Sequence, residues 1–479
     1  MRLMLLFATL AATAAADPPA KVPVPPATAP APDLLNPGPA DAKYPLPADR
    51  PLAADRLKKR ADWLKKQWLG DFDATADKSA AGHAEARKAV EAAAGYESRV
   101  NLRYADALDA RNRALKAAAK VNPAESLFWV QHTRYVAAGV GDDRLNLVTE
   151  QMQGKTYSPY VRAVTYRQAA ADAHAGLKLN SRDAHLALFL PAFTELAKSP
   201  DTTAAEITDE LVGDVLADES FGATPGDRYT RLKPALDVAG VPERVKQLAL
   251  GTAWALAAWA EKSDTTIEMQ QAGQSAAYKA ALEKAEKALT SAWAADHKQP
   301  EAAALMIEVC QGRGHPRHQM ELWFKRAMTA DPDCYPACVA KLDYLRWQGK
   351  GDPAELLAFG RQCARGGHPE GFVPEALFEA HKRATGSDKA DYWTKPAVWA
   401  DLRAVYEPAA TALPADRQLR TRYARACLWC GHPEEADGQL KAVNDRVWLP
   451  DFADKDEAVK LRTSVDRALR KKRTTDDDD

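Results

Sequence analysis

The fold is decided by residues 299–365, which read QPEAAALMIEVCQGRGHPRHQMELWFKRAMTADPDCYPACVAKLDYLRWQGKGDPAELLAFGRQCAR. Short runs with apolar residues at helical spacing alternate here with breaks at Gly314-His315-Pro316, Asp331-Pro332 and Gly349 to Pro353. Glycine accepts the left-handed conformation that ends a helix, and proline is preset to begin the next one. The stretch therefore predicts a stacked array of helix–turn–helix pairs.

The same helical pattern extends over most of the 479 residues, and no stretch shows the strict alternation of a half-buried strand. A single helix pair cannot bury its apolar stripe, whereas stacked pairs share a continuous core. We therefore expect an all-α fold, a right-handed α-solenoid of antiparallel helix pairs.

Residues 1–16 have the features of a secretory signal peptide: Met1-Arg2, an apolar run from Leu3 to Leu10, and Ala14-Ala15-Ala16. We expect cleavage near Ala16 and a location in the periplasm or outside the cell. The apolar run is too short to cross a bilayer, and no later run reaches about 18 residues without charge. We therefore expect no membrane span.

Differences in composition divide residues 17–479 into four segments. Residues 17–51 are rich in proline and alanine, which predicts a disordered, semi-rigid linker, with a ligand for a proline-reading domain as the alternative. Residues 52–240 carry divergent helix pairs, residues 241–470 carry the clearer repeats, and residues 471–479 form a charged tail expected to be disordered. With 65 basic against 66 acidic residues, the chain has no global basic field, so we expect no nucleic-acid partner.

Three turns share the string C-x-x-x-G-H-P, which begins at Cys310, Cys363 and Cys427. Its recurrence indicates a common structural unit, in which each glycine ends a helix in the left-handed conformation and each histidine is exposed to solvent. Cys338 and Cys363 are expected on partner helices at heights that could meet, which makes them a candidate disulfide.

One local cluster has residue types that could form a reactive or metal-binding site: Cys427, Cys430 and His432. The string CLWCGH departs from the c-type haem attachment motif because Gly431 separates the histidine from the second cysteine. A metal site there would need a fourth ligand from elsewhere in the chain. We therefore expect no cofactor and no metal, with Cys427 as a core residue and Cys430 free or in a disulfide.

Residues 325–332 read KRAMTADP, which is similar to the helix-ending Ala-x-x-x-Asp-Pro signature of the tetratricopeptide (TPR) repeat, with Phe324 at the preceding aromatic site. Tyr423-Ala424, Gly431 and Ala436 follow the order of that repeat. The chain resembles a divergent TPR array, and residues 323–365 resemble a bacterial domain family of unknown function with secreted, TPR-like members. The resemblance implies a helical-repeat fold and carries over no activity.

The interpretation that fits these patterns is an exported, non-enzymatic scaffold that engages a protein or peptide partner. Arg346 with Trp347 and Arg425 with Trp429 lie near helix ends and form the candidate partner-binding surface, because aromatic and arginine side chains are favoured anchors. The alternative for both tryptophans is packing between repeats. Two other functions remain open: an exported thiol- or metal-dependent enzyme centred on Cys427, Cys430 and His432, and a structural role in an envelope assembly.

Overall fold

The computed structural model describes residues 53–97, 105–121, 126–135, 149–150, 152, 156–263, 275–347, 352–369, 371–385, 389–414, 416–445, 447 and 455–476. The predicted signal peptide and the proline-rich linker lie outside these residues. Within them, all regular secondary structure is helical. These residues divide into two compact units: the first holds residues 53–97 and the described part of 110–344, and the second holds residues 105–109 and the described part of 345–476.

The first unit is built from thirteen described α-helices, apart from the first five residues of the third and the last three of the thirteenth, which belong to the second unit. They are α1 Ala53–Thr75, α2 His83–Glu97, α3 Ala105–Ala119, α4 Ser126–Tyr135, α5 Pro159–Ala175, α6 Leu179–Ala197, α7 Thr202–Ala217, α8 Pro225–Leu236, α9 Glu243–Ser263, α10 Ala276–Ala295, α11 Glu301–Arg313, α12 Arg317–Ala330 and α13 Tyr335–Trp347. Helices that follow one another pack together, as in α1 with α2, α5 with α6, and α9 with α10.

Side-chain caps fix where several of these helices begin. Asp201 accepts hydrogen bonds from the backbone N–H groups of Thr203 and Ala204 at 2.8 and 3.0 Å, at the start of α7. Thr224 and Asp227 form a reciprocal capping box at the start of α8. Such caps satisfy backbone donors that have no partner inside the helix, each worth about 1 kcal/mol.

One hydrophobic core runs through the first unit from Leu64 to Ala253. A buried carboxylate, Glu97, ties its N-terminal helices together, since it accepts hydrogen bonds from Trp68 Nε1 at 2.6 Å and from the Tyr160 hydroxyl at 2.9 Å. The core crosses residue 240, where the sequence placed the start of the clearer repeats. That division describes repeat regularity and stays a prediction, while the compact units divide at residue 344.

The second unit contains the remaining described α-helices. They are α14 Pro353–Gly366, α15 Ala376–Ala384, α16 Lys389–Trp393, α17 Pro396–Ala412, α18 Arg417–Trp429, α19 Pro433–Ala442 and α20 Lys455–Asp476. Neighbours again pack together: α14 with α15, α17 with α18, and α18 with α19. Helix α20 continues through residue 476, so the first six residues of the tail predicted to be disordered are helical; residues 477–479 lie outside the described part.

These features confirm the predicted all-α fold, with consecutive helices packed in pairs in the manner of a helical solenoid. The predicted left-handed conformation of the turn glycine is confirmed at two of the three repeated strings, where Gly314 and Gly431 have φ of 68° and 80°. It is wrong at the third, because Gly367 ends α14 in an extended conformation with φ −82° and ψ 153°. A Cβ at Gly367 would come within 2.6 Å of Pro374, so close packing explains this glycine.

No helix in the described ranges is long and apolar enough to cross a membrane.

Gly360 lies where α14 and α15 approach each other closely. A Cβ added there would lie 2.8 Å from Leu377 Cα and 2.9 Å from Ala380 Cβ, so Gly360→Ala forces α14 and α15 apart. We expect a loss of about 1–3 kcal/mol in the free energy of unfolding, measured by urea denaturation.

The matched control is Gly213→Ala in α7, where an added Cβ would meet nothing within 4 Å. Alanine should stabilise that half-buried helical position, where the added Cβ meets nothing, by about 0.5–1 kcal/mol. Equal effects of the two substitutions would contradict close packing at Gly360.

Candidate functional site

The structure describes three of the four residues predicted to form the partner-binding surface. Arg346 is exposed in the last turn of α13. Trp347 ends that helix, and its side chain lies outside the described part. Arg425 and Trp429 are one turn apart on α18, with Arg425 half-buried and Trp429 36% exposed.

Trp429 is the centre of an aromatic group contributed by three helices. Its ring stacks on Phe378 of α15, with centroids 5.7 Å apart and planes at 21°. Trp393 of α16 approaches at 5.1 Å with an interplanar angle of 50°. The Arg425 guanidinium carbon lies 5.3 Å from the centre of the Trp429 ring, in a cation–π contact. We call Phe378, Trp393, Arg425 and Trp429 the Trp429 surface.

The partner-binding role of Trp429 stays a prediction, and the structure shows where its ring lies. The ring packs between helices, as the structural alternative held, and about a third of the residue still faces solvent. Phe378 and Trp393 were not anticipated as neighbours, because they precede Trp429 by 51 and 36 positions and no local pattern links them. The only sequence signal was the density of aromatic residues between residues 372 and 399.

A buried polar network fixes the helices beneath this surface. His381, 1% exposed, lies between the Tyr392 hydroxyl, 2.9 Å from its Nδ1, and Asp401 Oδ2, 3.1 Å from its Nε2. Asp401 also accepts hydrogen bonds from Arg361 Nε at 3.0 Å and Nη2 at 2.8 Å. The network joins α14, α15, α16 and α17. Trp393 packs against His381 at 6.2 Å, so the network positions the ring that supports Trp429.

Burial sets the protonation state of His381. It lowers the pKa of the imidazole to about 4, with Arg361 acting in the same direction, although Asp401 opposes the shift. At neutral pH the ring is therefore uncharged. The neutral ring accepts a hydrogen bond from the Tyr392 hydroxyl at Nδ1 when its proton is on Nε2, and the Nε2–H group then donates a hydrogen bond to Asp401.

The cysteine cluster lacks the features of a reactive site. Cys427 and Cys430 are 0% and 4% exposed, and burial raises the pKa of both thiols, that of Cys430 to about 12. Because the thiolate is the nucleophile and the metal ligand, both groups are inert near neutral pH. His432 instead stacks on Trp399, with centroids 4.1 Å apart and planes at 17°. Among the described side chains, no group of three or more His, Cys, Asp and Glu could hold a metal ion.

The turn histidines differ from one another, so the prediction that all are exposed is only partly correct. His368 is exposed. His315 is half-buried, with Nε2 3.1 Å from Glu286 Oε1, because the turn packs against α10. His432 is half-buried under the Trp399 ring.

All six cysteines are buried free thiols in the structure, including Cys338 of α13 and Cys363 of α14. Cys338 lies in the first unit and Cys363 in the second, and the candidate disulfide between them stays a prediction. Burial in apolar surroundings raises the pKa of Cys310 to about 12, which further suppresses oxidation chemistry at that position.

Thiol titration tests this assignment. Unreduced protein denatured in urea should release six thiols to a colorimetric thiol reagent, whereas the native protein should react slowly because every sulfur is buried. Four thiols in the denatured, unreduced sample would show one disulfide, and mass mapping would tell whether it joins Cys338 to Cys363.

The His381 network makes a prediction about acid stability. The ordinary pKa of histidine is 6.5, and that of His381 in the fold is lowered to about 4. As pH falls through this interval the unfolded chain takes up a proton that the folded chain does not, so the free energy of unfolding falls with pH, by about 3 kcal/mol in total. Urea denaturation at pH 6.5, 5 and 4 measures the slope.

Because carboxylates titrate in the same window, the comparison must be with a variant. His381→Gln should show a shallower pH dependence than the wild type, whereas His368→Gln, at the exposed turn, should not. Identical slopes for the wild type and His381→Gln would rule out the proton linkage.

Comparison with known proteins leaves the family of this chain open. No protein-family model matches the sequence, and no curated protein matches it. Among solved structures, the crystal structure of the TPR domain of P58(IPK) at 2.5 Å is 14% identical, covering 82% of this chain and 99% of that chain, with a TM-score of 0.18. A likeness at that TM-score carries no argument about this chain, so the fold assignment rests on the helices and their packing described above.

Proposed function

We propose that this chain is an exported, non-enzymatic scaffold that binds a protein or peptide partner through the Trp429 surface. The observation that carries the proposal is a tryptophan that is 36% exposed while packed against Phe378, Trp393 and Arg425. Export rests on the signal-peptide features of residues 1–16. The resemblance of residues 323–365 to a bacterial domain family with secreted members also supports it.

Rigidity is what suits Trp429 to binding. A flexible surface side chain loses rotamer freedom when a partner immobilises it, at about 0.5–1.5 kcal/mol for each such side chain. Trp429 is already held by two rings and a guanidinium, and the His381 network holds the helices beneath them. Tryptophan and arginine are also the residues most enriched among those that dominate binding energy. The enzyme alternative gains no support, since Cys427 and Cys430 are buried with raised pKa values.

Partner capture tests the proposal. Tagged wild type and Trp429→Ala are used as bait in extracts of the cells that make the protein, and captured proteins are quantified by mass spectrometry. We expect a discrete set of proteins to bind the wild type and to bind Trp429→Ala about thirtyfold more weakly, because truncating a dominant anchor costs about 2 kcal/mol or more.

Trp399→Ala is the matched control. Trp399 is another partly exposed tryptophan of the second unit, stacked on His432 rather than on Phe378. Capture should be the same as in the wild type. Partners that bind Trp429→Ala as well as they bind wild type would refute a role for this surface.

A further inference from the structure

Three sulfur-containing side chains come together where α12 meets the start of α13. Met328 lies in the last turn of α12, and Cys338 closes the first turn of α13. The Cys338 Sγ atom is 3.9 Å from the Met328 Sδ atom. Cys334 directly precedes α13, and its carbonyl accepts a hydrogen bond from the backbone N–H of Cys338 at 3.4 Å. The two cysteines are therefore one helical turn apart, beside a thioether of the neighbouring helix.

The burial of these residues suits a bound ion. Cys338 is 0% exposed and Cys334 is 4% exposed, and both keep their thiol groups in the structure. Met328 is half-buried, so solvent reaches its side chain. An ion held between the three sulfurs would be shielded from bulk water on the cysteine side and would be reached from solvent at Met328.

The position of the two cysteines at a helix N-terminus favours the thiolate form, which is the form that binds metals. Backbone N–H groups without a helical partner give that end of a helix a partial positive charge, which stabilises a thiolate. Cys427 and Cys430 lie at the opposite end of a helix, the C-terminus of α18, and the pKa of each thiol is raised by burial. The two cysteine pairs therefore differ in their electrostatic surroundings.

We propose that Met328, Cys334 and Cys338 form a binding site for the soft monovalent ion Cu(I). On binding, the two thiols become thiolates, two protons pass to solvent, and the copper keeps its oxidation state. Three sulfurs spaced evenly around an ion at about 2.3 Å lie about 4 Å from one another. The 3.9 Å between the sulfurs of Cys338 and Met328 therefore needs little change. The site is separate from the Trp429 surface, and the inference does not depend on the function proposed above.

The types of ligand favour Cu(I) over zinc and over hard cations. Thiolate and thioether sulfurs select Cu(I), whereas Mg²⁺ and Ca²⁺ take oxygen ligands. Structural zinc sites are closed by four ligands drawn from cysteine, histidine and carboxylates. Within the described part of the chain, no group of three or more such residues could hold a metal ion. Two cysteines completed by a thioether are a ligand set for Cu(I) instead.

The test is an anaerobic competition for Cu(I) between the full chain and the chromogenic chelator bicinchoninate. We expect the wild type to withdraw one Cu(I) per chain, with three sulfur neighbours in X-ray absorption. Cys334→Ala and Cys338→Ala should each bind Cu(I) at least about a hundredfold more weakly, which is the upper end of what losing a residue that only supports a ligand costs. Met328→Leu should bind about tenfold more weakly, since methionine is the weaker ligand.

The chain offers a matched control for each kind of ligand. Cys427→Ala removes another buried thiol, and Met320→Leu removes another thioether of α12, two turns before Met328. Both should bind Cu(I) as the wild type does. Circular dichroism and thermal unfolding without the ion check that each variant folds. Because Met328 is half-buried and leucine is close to methionine in volume, Met328→Leu tests the site even where a cysteine variant unfolds.

Each other result would overturn the proposal. A wild type that withdraws no Cu(I) from the chelator, or that loses as much affinity in Cys427→Ala as in Cys338→Ala, has only a core contact between sulfurs at this place. Unchanged affinity in Met328→Leu or in Cys334→Ala contradicts a three-sulfur site, as does a disulfide between Cys338 and Cys363. Prevention of Cu(I) uptake by an equimolar amount of Zn²⁺ contradicts the choice of ion.

Discussion

Each amphipathic helix of this chain can remove its apolar stripe from water only by lying against the helices next to it. That constraint determines the rest of the structure. It explains why the helices pack with their chain neighbours, as α14 does with α15 and α18 with α19. It also explains why large rings such as Trp68 and Tyr406 are fully buried within each unit. Helix α16 is five residues long and has little apolar surface of its own. It is held in place by the packing of Trp393 and by the hydrogen bond from Tyr392 to His381.

Local chemistry made the helices predictable from the sequence. The left-handed Gly314 and Gly431 and the prolines that open α5, α14 and α19 act within a single turn, so their effect can be recognised from residue order alone. Gly367 shows the limit of that reasoning. It occupies the same place in the same string, yet its conformation is set by Pro374, a neighbour that only the folded chain brings near.

The candidate site was predictable in part for the same reason. Arg425 and Trp429 lie one turn apart on one helix, a spacing that the sequence displays directly. Phe378, Trp393 and the His381 network belong to helices that meet α18 only after folding, and no spacing rule connects them. Burial, too, is a property of the folded chain. The spacing of Cys427 and Cys430 in the sequence resembles that of a reactive pair. Their burial in the folded chain makes them unreactive.

The close approach of Gly360 to Leu377 limits which substitutions are compatible with the Trp429 surface. Leu377 is the residue directly before Phe378, so any side chain acquired at position 360 would displace the backbone that carries the stacking ring. A substitution in α14, on the neighbouring helix, would then move Phe378 and the Trp429 ring that stacks on it. In related sequences that have diverged, we therefore expect substitutions at position 360 to accompany changes in the aromatic residues at positions 378 and 429, whatever the solvent exposure of position 360.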